Sequence, residues 1–274
     1  MSMTGGITFF EKSKALFRDG ATVVASSNNN DAKLALSMNR VFKWVSVGSD
    51  DTTTETITIT LPSSVSISRI FLGGINFKEF TVKYGGGPTD FANVTGLDGA
   101  LGGGIAETAY ARAAAYYEFD AVTTDTIVIT ATKTQVADEE KELTLAIATN
   151  EIGTFTGYPD PNNAFFDRNE RDQKVLSGLS HIVKSGEIFT MKLDMDNYPN
   201  QADITLLETL FDSEDPFLVW PNGGIPTQFR LTQKAWRVQD IYQMQTKGKM
   251  RSEYNRNIYI SGVEKDASLV EVVA

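Results

Sequence analysis

The chain has 274 residues, of which 41% are hydrophobic and 22% charged, with a formal net charge of −10. That balance is ordinary for a globular protein, and the length predicts two domains, because single cores stop growing towards roughly 250 to 300 residues. The acidic excess argues against nucleic-acid binding, which needs Lys and Arg to displace counterions from phosphate. The absence of cysteine excludes disulfides, thiol catalysis and Cys-based metal sites.

The first residues, MSMTGGITFFEKSKALF, lack a basic start, an apolar core and a small-residue cleavage site, and no segment approaches the roughly 18 unbroken apolar residues of a membrane span. The expectation is synthesis in a cytoplasm, no signal peptide and no membrane insertion. Ala21 to Ser26 is a short β-branched run, followed by the polar cluster Asn28, Asn29, Asn30 and Asp31. Such side chains compete for their own backbone, so the cluster reads as a loop. A calcium site built on the oxygens of Asn28, Asn30 and Asp31 is the second reading, since a hard cation takes such ligands.

Phe42, Trp44 and Ser46 alternate with Lys43, Val45 and Val47, and Ile57, Ile59 and Leu61 alternate with threonines, the period of half-buried strands. Pro62 is expected to end the second of these. ISRIFLGGINFKEFTVKY, from Ile67 to Tyr84, reads as two strands parted by a Gly-Gly break and forms the centre of the N-terminal domain. A Gly-rich excursion follows from Gly85, then an Ala-rich stretch from Ala106 to Tyr116 with the composition of a short helix. Ile127 to Ala131 is the closing strand.

Taken together, the Asn-rich loop, Trp44, TETITITLPSSVSISRIFLGGINFKEFTVKYGG and DTIVITATKTQVADEEKELTLAIATNEIGTF resemble the discoidin, or coagulation-factor type C, family of jelly-roll sandwiches within the galactose-binding-like fold. Trp44, Leu61, Ile67, Ile70, Leu72, Tyr84, Ile127, Ile129, Glu151 and Ile152 occupy corresponding positions across residues 20 to 155. Secreted members usually close the domain with a disulfide, which a chain without Cys cannot do. The resemblance implies a β-sandwich and leaves the ligand open.

From Thr149 to Asp172 Gly, Pro, Asn and charge concentrate, the signature of a boundary. Lys174 to Lys184 and Glu187 to Leu193 then read as a hairpin around a Ser185-Gly186 turn. Asn200 to Phe211 carries Ile204, Leu207, Leu210 and Phe211 at helical spacing, and FLVWP resumes extended structure. Further strands fall at Phe229 to Leu231, Ala235 to Tyr242 and Asn257 to Val263. The expected fold is therefore mainly β: a discoidin-like sandwich over residues 1–155, a linker over 156–172, and over 173–274 an α+β domain with an antiparallel sheet and one main helix. The order of elements from 170 to 265 resembles sheet-and-helix domains of tail and baseplate proteins of tailed bacteriophages.

The search for chemistry yields no catalytic assignment and no cofactor. His181 is the only histidine and sits in a strand-like run without a nucleophile elbow. Asp194, Asp196, Asp212, Glu214 and Asp215 include candidate acid pairs for glycoside hydrolysis, and they read equally well as a solvated edge and a turn. Tyr110, Tyr116, Tyr117 and Trp44 offer ring faces on which a sugar could stack, with sandwich packing as the alternative, the preferred one for Trp44. Phe217, Leu218, Val219 and Trp220 cannot all face one side of a strand, so they either reach a second layer or meet another subunit through Phe217 and Trp220. The expected role is a structural virion component of a tailed phage, contacting other virion proteins and copies of itself, with cell-surface glycans as a further partner of the sandwich. A free carbohydrate-binding module is the second reading and an acid-pair hydrolase the third.

Overall fold

The computed structural model describes residues 7–37, 42–155, 164–174, 180–194, 201–212, 216–220, 242–246 and 266–271. In chain order its strands are β1 (Ile7–Phe10), β2 (Thr22–Ala25), β3 (Trp44–Val45), β4 (Glu55–Gly73), β5 (Phe77–Tyr84) and β6 (Val94–Gly96). Then come β7 (Gly99–Gly102), β8 (Ile105–Glu107), β9 (Ala114–Thr134), β10 (Glu142–Leu143), β11 (Leu145–Thr149) and β12 (Glu151–Phe155). The later elements are β13 (Ala164–Lys174), β14 (Ser180–Asp194), the helix α1 (Gln201–Asp212), β15 (Phe217–Trp220), β16 (Tyr242–Thr246) and β17 (Asp266–Glu271). The protein is mainly β, as its alternating sequence predicts.

Contacts gather residues 10–152 into one unit. Its main sheet runs β11-β4-β9-β5-β8, with β2 added to β4 and the β6–β7 hairpin to β9, every pairing antiparallel. The long β4–β9 ladder shifts register between Thr60 and Val65 and again between Ile67 and Arg69. These shifts bend both strands, so that Ile59, Ile127 and Ile129 from one half and Ile70, Leu72 and Ala146 from the other line the same small apolar void. The two halves of the ladder therefore face one another across one core, the arrangement of a sandwich. Trp44, Phe77, Phe80, Val82 and Tyr117 fill that core and are almost fully buried.

Three local expectations change. Pro62 does not end its strand: β4 runs through it, because Pro62 lies where the β4–β9 ladder is interrupted between Thr60 and Val65 and no N–H is needed. The Ala-rich stretch forms no helix. Ala114 and Ala115 begin β9 opposite Gly73 and Leu72, and pairing in the sheet outweighs the helical preference of alanine. The Gly-Gly break does hold, and at Gly74 glycine is required: φ is +61° and a Cβ would lie 2.1 Å from Thr144 Oγ1.

The second unit collects described residues 7–9 with those from 153 onward. Its sheet has the order β12-β1-β15-β16-β17-β14-β13. The expected division differs in two places: residues 7–9 enter this sheet through β1, between β12 and β15, and residues 164–172 of the expected linker are strand, held by antiparallel pairing of β13 with β14. The expected hairpin around Ser185-Gly186 is instead one continuous strand. Arg168 pairs with Glu187 and Glu170 with Lys184, so Ser185 and Gly186 together oppose Asn169 as a bulge. The helix expected over 200–211 is α1. The strands expected at Phe229 to Leu231 and Asn257 to Val263 lie outside the described residues, and of Ala235 to Tyr242 only Tyr242 is described.

Trp44→Ala should destabilise the protein by about 3 to 5 kcal/mol, the cost of emptying a well-packed aromatic site, because Trp44 is 0% exposed. Equilibrium denaturation of the variant checks this, and a change below about 1 kcal/mol, typical of a surface site, would contradict it.

Candidate functional site

The Asn-rich loop is stitched into the fold. Asn28 has a positive φ of 45°, and its Nδ2 donates to Asp31 Oδ2 at 3.0 Å and to the Val45 carbonyl at 2.9 Å. Asn29 Oδ1 accepts the Ala25 N–H at 2.9 Å, and Trp44 Nε1 donates to the Ser27 carbonyl at 3.1 Å. Asn30 and Asp31 are exposed. The loop reading accounts for these contacts: Asn28 tolerates the left-handed conformation, and its amide ties the turn to β3. Among the described residues no group of three or more His, Asp or Glu side chains is placed to hold a metal ion.

The two tyrosines expected as sugar platforms are inside. Tyr110 is 6% exposed, its hydroxyl donates to the Ala114 carbonyl at 2.6 Å, and its ring meets Phe80 edge-on at 5.5 Å. Tyr116 is 3% exposed and packs on Phe71 at 4.7 Å and Phe10 at 6.3 Å. Burial pushes both phenols well above their ordinary range. Buried to this extent, neither ring offers an open face to a ligand. Phe217 and Trp220 are likewise buried, 2% and 1% exposed, together with Leu218 and Val219, and Phe217 meets Phe9 at 5.9 Å. Buried side chains on all four positions fit the second-layer alternative, and the subunit-contact alternative lacks an exposed patch here.

Of the acidic candidates, Asp194 ends β14 opposite Asp266 and Asp212 ends α1. Asp196, Glu214 and Asp215 lie outside the described residues. His181 lies on β14, opposite Gln173 in the ladder.

Three polar groups that the sequence did not single out are assembled by the sheet. The first centres on Arg69, whose Nη2 reaches Glu118 at 3.1 Å and Glu151 at 2.9 Å while Nη1 donates to the Ser68 carbonyl at 2.9 Å. Burial works to lower the Arg69 pKa, but the charges of Tyr116, Glu118 and Glu151 outweigh it and the net shift is upward. One guanidinium bridges both carboxylates, offsetting one of their two charges, and occupies the space between them, so this group is a clasp joining β4, β9 and β12. It is unsuited to glycoside hydrolysis, which leaves that space to the sugar.

The second centres on Lys141, which is 0% exposed. Its Nζ donates to the Asp50 carbonyl at 2.9 Å and its N–H to Ser46 Oγ at 2.8 Å. Desolvation lowers its pKa against the opposing pull of Glu55, Asp50 and Asp51. In the same loop Asp50 Oδ1 accepts from the backbone and hydroxyl of both Thr52 and Thr53, at 2.7 to 3.0 Å.

The third lies beside the β6–β7 hairpin. Tyr117, 1% exposed, donates its hydroxyl to Glu107 Oε1 at 3.0 Å, and Arg112 pairs with Asp98. Burial pushes Tyr117 far above its usual range, aided by the charge of Glu107 and, more weakly, of Asp98. The charges of Arg112, Glu107 and Asp98 act on Tyr110 as well, so these side chains lie near both buried tyrosines. Gly96 allows the hairpin to lie close, since a Cβ there would stand 3.2 Å from the Tyr117 ring. Asp98 and Arg112 are largely exposed, with side-chain exposures of 64% and 47%. An exposed pair of this kind is worth about 0 to 1 kcal/mol, so a ligand can open it at little cost. Two carboxylates and a guanidinium offer hydrogen-bond acceptors and planar donors on one rim.

No protein-family model and no curated protein matches the chain. Among solved structures it is similar to a selenomethionine-labelled point mutant of chitosan-binding module 1 of a chitosanase/glucanase from Paenibacillus sp. IK-5, with 17% identity, a TM-score of 0.40 and coverage of 51% of this chain and 99% of that one. Chitosan-binding module 2 of the same enzyme, in complex with chitotriose, gives 19% identity and a TM-score of 0.38 over 49% and 97%. CpGH89CBM32-5 from Clostridium perfringens, in complex with GalNAc-β-1,3-galactose, gives 12% identity and a TM-score of 0.38 over 50% and 99%. The fold rests on the strand pairing described above.

Four donors hold the Asp50 carboxylate down at about 2 from the ordinary 3.8, the Thr53 and Thr52 hydroxyls acting before the two backbone amides. A carboxylate depressed on folding stabilises the protein above its unfolded pKa, and that stabilisation is lost as pH falls through the folded value. Stability should therefore decline from about pH 4 towards pH 2, and Asp50→Asn should flatten that part of the profile. Thermal melts across this range check it; an unchanged profile in the variant would contradict it.

Proposed function

We propose that residues 10–152 form a non-catalytic carbohydrate-binding module of the discoidin-like, galactose-binding-like jelly-roll type. The observation that supports it is the rim of Asp98, Glu107 and Arg112 beside the β6–β7 hairpin. Sugar hydroxyls are paired donors and acceptors, and such a rim answers them with acceptors on two carboxylates and donors on a planar guanidinium. The sequence resemblance supports the same fold type. A tail or baseplate role, the other reading of the sequence, draws its support from the order of elements in residues 170–265 and from no feature of the site.

The test is affinity electrophoresis of the full chain through gels containing soluble glycans, with chitooligosaccharides and β-linked galactosides as first probes. Retardation by at least one glycan is expected, and it should be lost in Asp98→Ala/Arg112→Ala, which removes only the exposed pair, while the melting temperature stays close to that of the parent. Failure of a broad glycan panel to retard the protein, or full retention of retardation in the double variant, would overturn the reading. Co-sedimentation with phage particles in the absence of glycan binding would move it to the structural role.

A further inference from the structure

We infer that Asp98-Gly99, at the tip of the β6–β7 hairpin, is a site of spontaneous backbone modification, at which aspartate isomerises to isoaspartate in the folded chain. Leu97 and Asp98 form the two-residue turn, closed by pairing of Gly96 with Gly99. The Asp98 side chain is 64% exposed. Gly99 has a φ of +120°, and a Cβ built on it would meet nothing within 4 Å, so beyond its pairing with Gly96 no neighbour packs against the turn at Gly99. The chemistry needs such freedom. The Gly99 amide nitrogen attacks Asp98 Cγ, an N–C bond forms, the amide proton is released, and the carboxyl oxygen departs with two protons as water.

The product is a five-membered imide. Water then adds to one of its two carbonyl carbons: opening at Cγ restores aspartate, and opening at the main-chain carbonyl gives isoaspartate. One water leaves and one returns, so mass is unchanged and no oxidant or reductant takes part. Glycine favours the attack because it places no side chain beside the nitrogen and adopts the backbone angles the ring demands.

The chain holds an internal comparison in Asp19-Gly20. There the Gly20 N–H is committed to the Phe17 carbonyl at 3.1 Å, the Asp19 carboxylate to Lys12 at 2.7 Å, and Pro62 lies 3.6 Å from the position of a Cβ on Gly20. Both glycine amides are engaged, that of Gly99 through its pairing with Gly96, so the difference lies in the carboxylate and the backbone, which are more restrained at Asp19-Gly20, and this pair is spared. At Asp98 the restraint is Arg112, whose guanidinium must release the carboxylate before it can reach Gly99. That ion pair is exposed at both ends and therefore weak, so it slows the rearrangement without preventing it. Isoaspartate would insert a methylene into the main chain at the turn and disturb the register of Gly96 with Gly99.

The experiment is incubation of the full chain at physiological temperature and near-neutral pH, followed by proteolysis, isoaspartate-specific enzymatic methylation and fragmentation of the labelled peptides. Label is expected in the peptide holding residues 98–99 at unchanged mass and not in that holding 19–20. Accumulation should be several-fold faster in Arg112→Ala, close to the parent rate in Arg112→Lys, and absent at that position in Asp98→Glu, whose extra methylene disfavours the ring. Melting curves confirm that each variant is folded. The inference fails if the folded chain shows no label at position 98 after a synthetic peptide of residues 93–104 has converted, if residues 19–20 match or exceed it, or if Arg112→Ala leaves the rate unchanged. The readout is chemical, so it stands or falls independently of glycan binding.

Discussion

The antiparallel pairing of β4 with β9 is the constraint on which the unit of residues 10–152 depends. Strands of 19 and 21 residues run together from Glu55 opposite Ala131 to Gly73 opposite Ala114. Every other strand of the main sheet is attached to one of them or to a strand that is: β2 and β11 to β4, β5 and β6 to β9, β8 to β5 and β7 to β6. The two register shifts matter as much as the pairing, because strands this long without a bend would make a flat sheet with one buried face. Bent at Pro62 and again near Ser68, they bring both ends of the ladder to one core. Each large side chain buried there contributes about 1.5 to 3 kcal/mol.

That economy decides where ligand chemistry can reside. The core takes up Trp44, Phe77, Phe80, Tyr110 and Tyr117, and the one buried lysine among the described residues, Lys141, is held by a carbonyl and by nearby acids. A buried charge without such partners would be costly. Arg69 is similarly committed to Glu118 and Glu151. What remains uncommitted lies on the connections, above all beside the β6–β7 hairpin, where Asp98 and Arg112 hold one another only weakly. A rigid sandwich presenting polar side chains on its loops places them where functional residues concentrate.

Much of the fold was legible in the sequence because period-2 alternation directly reflects a sheet with one buried face. Ile57, Ile59 and Leu61, then Ile127 and Ile129, announced their strands, and the Gly73-Gly74 break marked a true turn. Pro62 and Ser185-Gly186 misled for one shared reason: turn-forming residues also suit interruptions within a continuing strand, and only the partner strand distinguishes the two. The site was less legible. Tyr110 and Tyr116 have the composition of a sugar platform, yet exposure is a property of the packed molecule. Glu107, Asp98 and Arg112 are scattered polar residues in a Gly- and Ala-rich stretch; the pairing of β6 with β9 brings the Asp98 turn to Tyr117, and that of β8 with β5 brings Glu107. Arg69 left one faint signal, a long cation set between Ile67 and Ile70 in an apolar run.

The central claim, that the bent β4–β9 ladder is the framework of residues 10–152, is tested most directly by native-state hydrogen exchange resolved by residue. Amides of Ile57 to Ile59 and Ile127 to Ile129 lie between bonded neighbours on both sides. The account predicts that they exchange last, only through global unfolding, while those of β7 exchange early. Exchange of the β4 and β9 amides as early as those of β7, with protection concentrated elsewhere in the unit, would contradict it.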